Sequence, residues 1–328
     1  MRTKFFLALF VAGSMIFTGC SDDDPVNPPV VDKNYNVKEF FSNSREKLVQ
    51  VIELNTSNLP TTITLDGGTK ITIDEGTFAI TGSFTVEVIE CLKPSSIVYS
   101  GTNTNYIDGR LFASDGFLFI DVKQNGTSVD KNLLKNMDVE IPVNSDRTLT
   151  MLWEGVDIAG VDENQFAWNE LAEDAILDDQ FAGGRMEVGA NDAGFFFFRL
   201  GKLGWFNCDI YWEEPAPKTT LTVTLTGGPI ELASYQGATG YTCVFFHGYG
   251  DLVVAQLYTP AGTNKVKSYD DSMPVGKTGT LFAFTVKEGE FYLAKQENVT
   301  IVADMEVDLD LVKTTEEAIQ AAIDALDD

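Results

Sequence analysis

The sequence predicts an all-β protein built from two tandem β-sandwiches and closed by a short C-terminal helix. Short runs of β-branched and aromatic residues recur along most of the chain, with glycine, asparagine and aspartate between them. Pro215-Ala216-Pro217 interrupts this pattern, and only residues 313–328 carry a helical period. We therefore expect one sandwich over residues 37–214, with an extension at its end, and a second over residues 218–312.

The first predicted sandwich begins as one strand after another from residue 37. Two β-branched runs, 61–65 and 70–73, flank Asp66-Gly67-Gly68-Thr69, which predicts a hairpin because glycine takes positive φ at no steric cost. Asn125-Gly126 is a second hairpin signal. Residues 83–91 alternate apolar and polar side chains, as a half-buried strand does.

The extension of this sandwich, residues 147–214, continues in strands. The apolar run 194–200 predicts a strand covered on both faces, because apolar side chains occupy both of its sides. Residues 201–204 predict a turn, and residues 205–212 predict the strand that follows it. The polar stretch 164–179 fits either a loop or a short helical turn.

The second predicted sandwich is Ig-like. Hairpins are expected around residues 248–251 and around Lys287-Glu288, with a last strand region over 298–312. In this region four acids alternate with apolar residues, which places them on one solvated strand face; they are Asp304, Glu306, Asp308 and Asp310. Calcium would require ligands that bend around the ion, so we expect no metal there.

The terminal helix has a recognisable start. Threonine before Glu316 and Glu317 is typical of a helix N-terminus. A buried face is expected at every third or fourth position of this helix. Its members are Ile319, Ala322, Ile323 and Leu326.

The first 20 residues have the order of a secretory signal peptide: a short positive stretch, an apolar run over 5–17 and then Thr18-Gly19-Cys20. The run is shorter than the roughly 20 apolar residues that a spanning helix needs. Residues 17–20 resemble the bacterial lipobox, in which cleavage exposes a cysteine that is then acylated. We expect residues 1–19 to be a lipoprotein signal peptide, and acyl chains on Cys20 to anchor the chain to a membrane.

Residues 20–36 read as an acidic, proline-rich tether that stays extended. Ser21, Asp22, Asp23 and Asp24 resemble the export signal that sends some lipoproteins of the Bacteroidota to the outer face of the outer membrane. The resemblance implies an outer-membrane lipoprotein exposed at the cell surface. A plain solvated linker is the alternative.

The charge balance excludes nucleic acid as an expected partner. The chain has 49 acidic and 23 basic residues, a formal net charge of -26. Nucleic-acid binding depends on lysine and arginine to neutralise phosphate, so nucleic acid is not an expected partner.

Besides Cys20 there are Cys91, Cys208 and Cys243, all in apolar strand contexts, where buried free thiols are expected. A Cys91–Cys208 disulfide is left open.

Catalytic motifs are absent from the sequence. His247 is its one histidine. We interpret it as a structural residue with satisfied hydrogen bonds rather than as a catalytic base. The chain has neither a P-loop nor a dinucleotide fingerprint nor a nucleophile elbow. We expect no catalytic residue, no cofactor and no metal.

The candidate ligand-binding residues are Trp205, Asp209, Tyr211 and Trp212. They lie close to Glu213 and Glu214, and aromatic faces beside polar acceptors are a common way to bind sugars. Packing in the core is the preferred interpretation of these aromatic residues over sugar binding, because most aromatic side chains on strands serve packing.

Two patterns resemble a family. Ser114-Asp115-Gly116-Phe117, read as a turn, and the strands 71–73, 86–88 and 139–142 resemble the ZU5-like β-sandwich of secreted Bacteroidota proteins. Gly204-Trp205-Phe206-Asn207-Cys208-Asp209 resembles a signature of such lipoproteins. The resemblance implies the fold and no activity.

The expected function is that of a non-enzymatic cell-envelope lipoprotein, a binding or accessory module for glycan or protein. Loops on a rigid sandwich are where such residues usually lie. A purely architectural lipoprotein is the first alternative. A carboxylate-based glycan hydrolase is the second, because the chain is rich in acids.

Overall fold

Strands make up 53% of the computed structural model and helices 13%, so the predicted all-β fold with a short C-terminal helix is confirmed. The structure describes residues 32–157, 166–212, 216–232 and 241–328. The predicted signal peptide, Cys20 and residues 21–24 lie outside the described residues, as do Glu213 and Glu214. Within the described ranges, every helix is too short or too polar to cross a bilayer.

The first half of the chain forms two facing sheets. Its elements are α1 (Val37–Leu48), β1 (Gln50–Asn55), β2 (Thr61–Thr64), β3 (Lys70–Ile73), β4 (Ser83–Cys91), α2 (Pro94–Tyr99), β5 (Phe112–Gln124), β6 (Thr127–Ser128), β7 (Asn132–Pro142), β8 (Leu149–Asp157), β9 (Phe166–Asn169), β10 (Met186–Gly189), β11 (Phe195–Lys202) and β12 (Gly204–Tyr211), with short 3₁₀ turns at Thr56–Asn58 and Glu173–Ala175.

Sheet 1 has the strand order β1-β4-β5-β12-β8-β10, with β6 beside β5 and β9 beside β8, and sheet 2 has the order β11-β7-β3-β2. A cluster of buried aliphatic and aromatic side chains from both sheets fills the space between them, including Ile71, Val86 and Phe196. Removal of this apolar surface from water is the main force that holds the two sheets together.

The second half repeats the layered plan. Its elements are β13 (Lys218–Thr219), β14 (Leu221–Thr226), β15 (Thr242–Gly248), β16 (Val253–Gln256), β17 (Thr259–Gly262), β18 (Lys265–Lys267), β19 (Met273–Pro274), β20 (Thr278–Lys287), β21 (Glu290–Thr300), β22 (Met305–Asp310), β23 (Val312–Thr314) and α3 (Glu316–Asp324), with a 3₁₀ turn at Ala325–Asp327. Sheet 3 has the order β17-β18-β14-β22 and sheet 4 the order β16-β15-β20-β21-β23, while β13 pairs with β19.

A hydrophobic cluster from both halves of the chain joins sheet 1 to sheet 4. It contains Phe117 and Trp153 from sheet 1, Phe245 and Phe284 from sheet 4, and Phe40 from α1. We call this contact the junction. The proposed division between the two sandwiches at residues 215–217 stays a prediction.

Buried hydrogen bonds cross the same junction. The side-chain nitrogen of Asn105 donates to the carbonyl of Gln256 at 2.8 Å, and the Gln256 amide donates back to Asn105 Oδ1 at 3.0 Å. The Ser114 amide donates to the carbonyl of Leu252 at 3.0 Å. Such groups would be costly to bury unpaired, so they fix how the two halves meet.

The strongest turn signals form the turns that the sequence predicts. β2 and β3 pair antiparallel across residues 66–69. Asn125 and Gly126 both have positive φ, 52° and 78°, as a two-residue hairpin turn between β5 and β6 requires. The acids of β22 are exposed and its apolar residues are at least half-buried, which confirms the solvated acidic face.

Several local predictions are wrong. Residues 37–48 form α1 rather than a strand, with Asn36 accepting from the Lys38 amide at 2.9 Å as its cap. The run 194–200 is covered on one face only: in β11 Phe196 and Phe198 are buried, but Phe197 is 42% exposed, because only one face of sheet 2 packs against sheet 1. The turn expected over residues 201–204 is not formed: β11 runs to Lys202 and β12 begins at Gly204, so only Leu203 lies between the two strands.

The C-terminal helix begins where the sequence indicates. The Thr315 hydroxyl accepts from the Ala318 amide at 3.3 Å. The whole predicted face of α3 is buried, and Ile319 and Ile323 are at most 1% exposed. The helix therefore docks against the junction instead of projecting into solvent.

Candidate functional site

A cleft of about 1060 Å³ opens beside the junction, and we call it the junction cleft. The first half contributes Ser114 of β5 and the loop 144–147 between β7 and β8. The second half contributes the turn 247–252 between β15 and β16, together with Thr280, Glu297 and Asn298, and residues 325–328 close one end. Because both halves line it, its shape depends on how they are joined.

The walls of the junction cleft are mainly polar. Amide and hydroxyl side chains line it beside carboxylates and one exposed aromatic ring, that of Tyr249, which is 38% exposed. The Tyr249 hydroxyl is held by Thr280 Oγ1 at 2.8 Å and the Asn298 amide at 3.2 Å. The ring is therefore a fixed surface at the wall rather than a mobile one.

Arg147 connects the two halves at the floor of the cleft. Its guanidinium donates to Asp115 Oδ1 at 3.0 Å in the first half and to Asp251 Oδ1 at 3.2 Å in the second half. The Asp115 side chain is fully buried and also accepts from Ser145 Oγ. Asp251 also accepts from Trp212 Nε1 at 3.0 Å and pairs with Lys277 at 3.4 Å.

The two sequence patterns that resemble the ZU5-like family meet beneath this floor. Residues 114–117 do not form the predicted turn. They lie within β5, where the register against β12 shifts by a β-bulge between Asn207 and Asp209. Ser114 Oγ donates to Asn207 Oδ1 at 2.9 Å, and the Asn207 side-chain nitrogen donates to Asp209. The bulge thus gathers two buried carboxylates, Asp115 and Asp209, on neighbouring strands.

Asp209 is the most perturbed acid of this cluster. Burial raises the pKa of its carboxyl well above the usual range, and the nearby negative charge of Asp115 adds to this effect. One oxygen of each carboxylate, Asp115 Oδ2 and Asp209 Oδ1, has no hydrogen-bond donor within the described residues. Burial therefore disfavours the charged form of Asp209, and its carboxyl keeps a proton to higher pH than an exposed aspartate does.

His247 lines the junction cleft although it is only 6% exposed. Burial lowers the pKa of its imidazole, so the ring is neutral near pH 7. Its Nδ1 lies 2.9 Å from the carbonyl of Val253 and therefore carries the hydrogen. Nε2 is left as a hydrogen-bond acceptor.

The four predicted ligand-binding residues do not lie together. Trp205 is half-buried beside a separate pocket of about 220 Å³, with Phe119 and Phe166. Tyr211 lies under the guanidinium of Arg110, whose carbon is 3.8 Å from the ring centroid. Trp212 is 1% exposed and reaches the junction cleft only through its bond to Asp251, while Asp209 is buried below the floor.

The remaining sequence candidates can also be placed. Cys91, Cys208 and Cys243 are free and buried, as expected. The disulfide left open between Cys91 and Cys208 does not form, because Cys208 faces the core between sheets 1 and 2 and Cys91 faces the junction. In the described ranges no group of three or more histidine, cysteine or acidic residues could hold a metal ion.

Little in the sequence indicates the cleft residues. Arg147, Asp251 and Tyr249 sit in short polar turns of a kind found throughout the chain, and Arg147 and Asp251 are 104 positions apart. The one available signal was the pair of patterns at 114–117 and 204–209, which marks the floor. The class of protein defined by these observations is an all-β protein with a polar cleft between two layered halves. No protein-family model and no curated protein sequence matches the chain.

Proposed function

We propose that this protein is a lipid-anchored, non-enzymatic binding module of the cell envelope, and that its junction cleft holds a glycan. The observation that carries the proposal is the size and polarity of the cleft, into which both halves direct amide, hydroxyl and carboxylate groups. Concave sites with a few converging polar groups are the usual form of ligand sites in proteins.

The chemistry of the walls favours a hydroxyl-rich ligand. Asn144, Ser145 and Asn298 can donate or accept hydrogen bonds, and Tyr249 offers an aromatic ring. A protein partner would call for buried aromatic or aliphatic anchors at the centre of the surface. The larger apolar side chains that line the cleft, Leu92, Leu252 and Leu326, are half-buried or buried.

The carboxylate positions favour binding over hydrolysis. Several carboxylates line the cleft, but a glycosidase also needs a general acid of raised pKa that faces the scissile bond. The one acid with a strongly raised pKa, Asp209, is completely buried below the floor, as is its neighbour Asp115. These positions favour a structural role, in which Asp115 pairs with Arg147 and Asp209 lies at the β-bulge.

A glycan array with the purified chain tests the proposal. We expect saturable binding that weakens about tenfold or more in Tyr249→Ala, which removes the aromatic wall. Phe197→Ala is the matched control, because it truncates a similarly exposed aromatic residue on β11, away from the cleft. Binding to no glycan at all would favour the architectural alternative. Release of reducing sugar that is lost when one acid becomes its amide would favour the hydrolase.

The location is part of the same proposal and rests on the sequence patterns at Cys20 and Asp22–Asp24. Protease treatment of intact cells should remove the folded body if these residues route the chain to the cell surface. Protection until the outer membrane is opened would contradict surface exposure and would leave the binding proposal standing.

A further inference from the structure

The junction cleft is more acidic than its own cations can balance. Five of its lining residues carry carboxylates: Asp146, Asp251, Glu297, Asp327 and Asp328. The one arginine that lines it, Arg147, is already shared between Asp251 and the buried Asp115.

The remaining lysines nearby are also engaged. Lys277 pairs with Asp251, Lys295 with Glu297 at 2.7 Å, and Lys93 with Asp327 at 3.8 Å. Within the part of the chain that the structure describes, no lysine or arginine forms an ion pair with Asp146 or Asp328. Uncompensated negative charge therefore faces the ligand.

His247 provides a second and independent indication. It is more than nine-tenths buried, lines the cleft, and has its Nδ1 hydrogen committed to the Val253 carbonyl. Among the described residues none donates a hydrogen bond to its Nε2. A neutral imidazole nitrogen held in this way accepts a hydrogen bond but cannot donate one.

The two observations agree on the chemistry of the occupant. Carboxylates and Nε2 are all acceptors, and the strongest donor that the cleft contains, Arg147, is occupied. We infer that the ligand of the junction cleft carries protonated amino groups, and that it is an oligosaccharide of amino sugars whose amines are free. This inference rests on the proposed glycan function and adds the charge of the ligand to it.

The probes are a glucosamine oligomer and the N-acetylglucosamine oligomer of equal length, which differ in the charge on their nitrogen. Calorimetry with the purified chain in mildly acidic buffer should give binding at least tenfold tighter for the glucosamine oligomer. This preference should shrink as salt is added, because salt screens charges that are partly exposed to solvent.

Asp146→Asn combined with Glu297→Gln is the informative variant. Both side chains are exposed, so the fold should tolerate the change, which can be checked by thermal unfolding. The variant should lose the preference, so that the two oligomers bind with similar affinity. Asp308→Asn, an exposed acid on β22 that is remote from the cleft, should keep the preference.

The outcomes separate this inference from the function on which it rests. Equal binding of the two oligomers, or binding only of uncharged glycans on the array, would overturn the amine and leave the glycan function in place. Tight binding of oligolysine together with no binding of either oligomer would replace the glycan by a basic peptide, and would overturn both.

Discussion

Removal of the Arg147 guanidinium should strongly destabilise the protein. In Arg147→Met the Asp115 carboxylate, whose side chain is completely buried, loses its cationic partner and keeps Ser145 as its one side-chain donor among the described residues. Asp251 is less affected, because Lys277 and Trp212 remain beside it. Breaking a buried pair in this way costs about 3–5 kcal/mol.

The assay is urea unfolding of the purified chain, followed by circular dichroism. Arg185→Met is the matched control, since Arg185 pairs with Glu170 at a site where both side chains are more than 40% exposed. Exposed pairs contribute about 0–1 kcal/mol, so this control should change the free energy of unfolding little. Asp115→Asn in the Arg147→Met background should recover a large part of the loss, because no buried charge is then left unpaired.

Two results would refute this reasoning. One is a loss in Arg147→Met no larger than that in Arg185→Met. The other is a double variant that is no more stable than Arg147→Met alone. Either result would mean that the buried charge of Asp115 does not depend on Arg147.

Three further predictions concern the interior. Asp209→Asn should be more stable than the native chain at neutral pH. Burial raises the pKa of Asp209, so the native protein binds this proton more tightly than the unfolded chain does. The contribution of the protonated carboxyl to folding stability is complete below the ordinary aspartate pKa of about 3.9 and is lost as the pH rises through the folded value. A difference in urea midpoint between variant and native chain that does not grow with pH would contradict this. Burial raises the pKa of Cys91 and Cys243 to about 12, so a thiol reagent should label no buried cysteine until the chain is unfolded, as mass spectrometry can check. Ile323→Ala should lower the free energy of unfolding by about 2–5 kcal/mol, whereas the exposed Asp308→Ala should leave it nearly unchanged.

Local signals in the sequence predicted local structure well. Asn125-Gly126 supplies the two positive φ angles of a hairpin, and Thr315 supplies a helix cap, so each feature depends on residues that are adjacent in the chain. The helix α1 was missed although its signal was present. Asn36 followed by Glu39 forms a capping box, in which Glu39 Oε2 accepts from the Asn36 amide at 3.0 Å.

Features that depend on the neighbours of a strand could not be predicted. Phe196 and Phe197 are chemically identical but point to opposite faces of sheet 2, and only the face that packs against sheet 1 is buried. The junction cleft is a stronger case, because its residues come from separate segments that long-range packing brings together. The residues next to Arg147 and Asp251 in the sequence do not indicate that these two side chains pair.

Hydrogen–deuterium exchange with a bound glucosamine oligomer tests most directly whether the junction cleft is the binding site. Bound ligand should slow amide exchange in residues 144–147 and 247–252, which form opposite walls. Exchange near Trp205, beside the smaller pocket, should stay unchanged. Slower exchange around Trp205, with no change in the two walls of the junction cleft, would contradict the account.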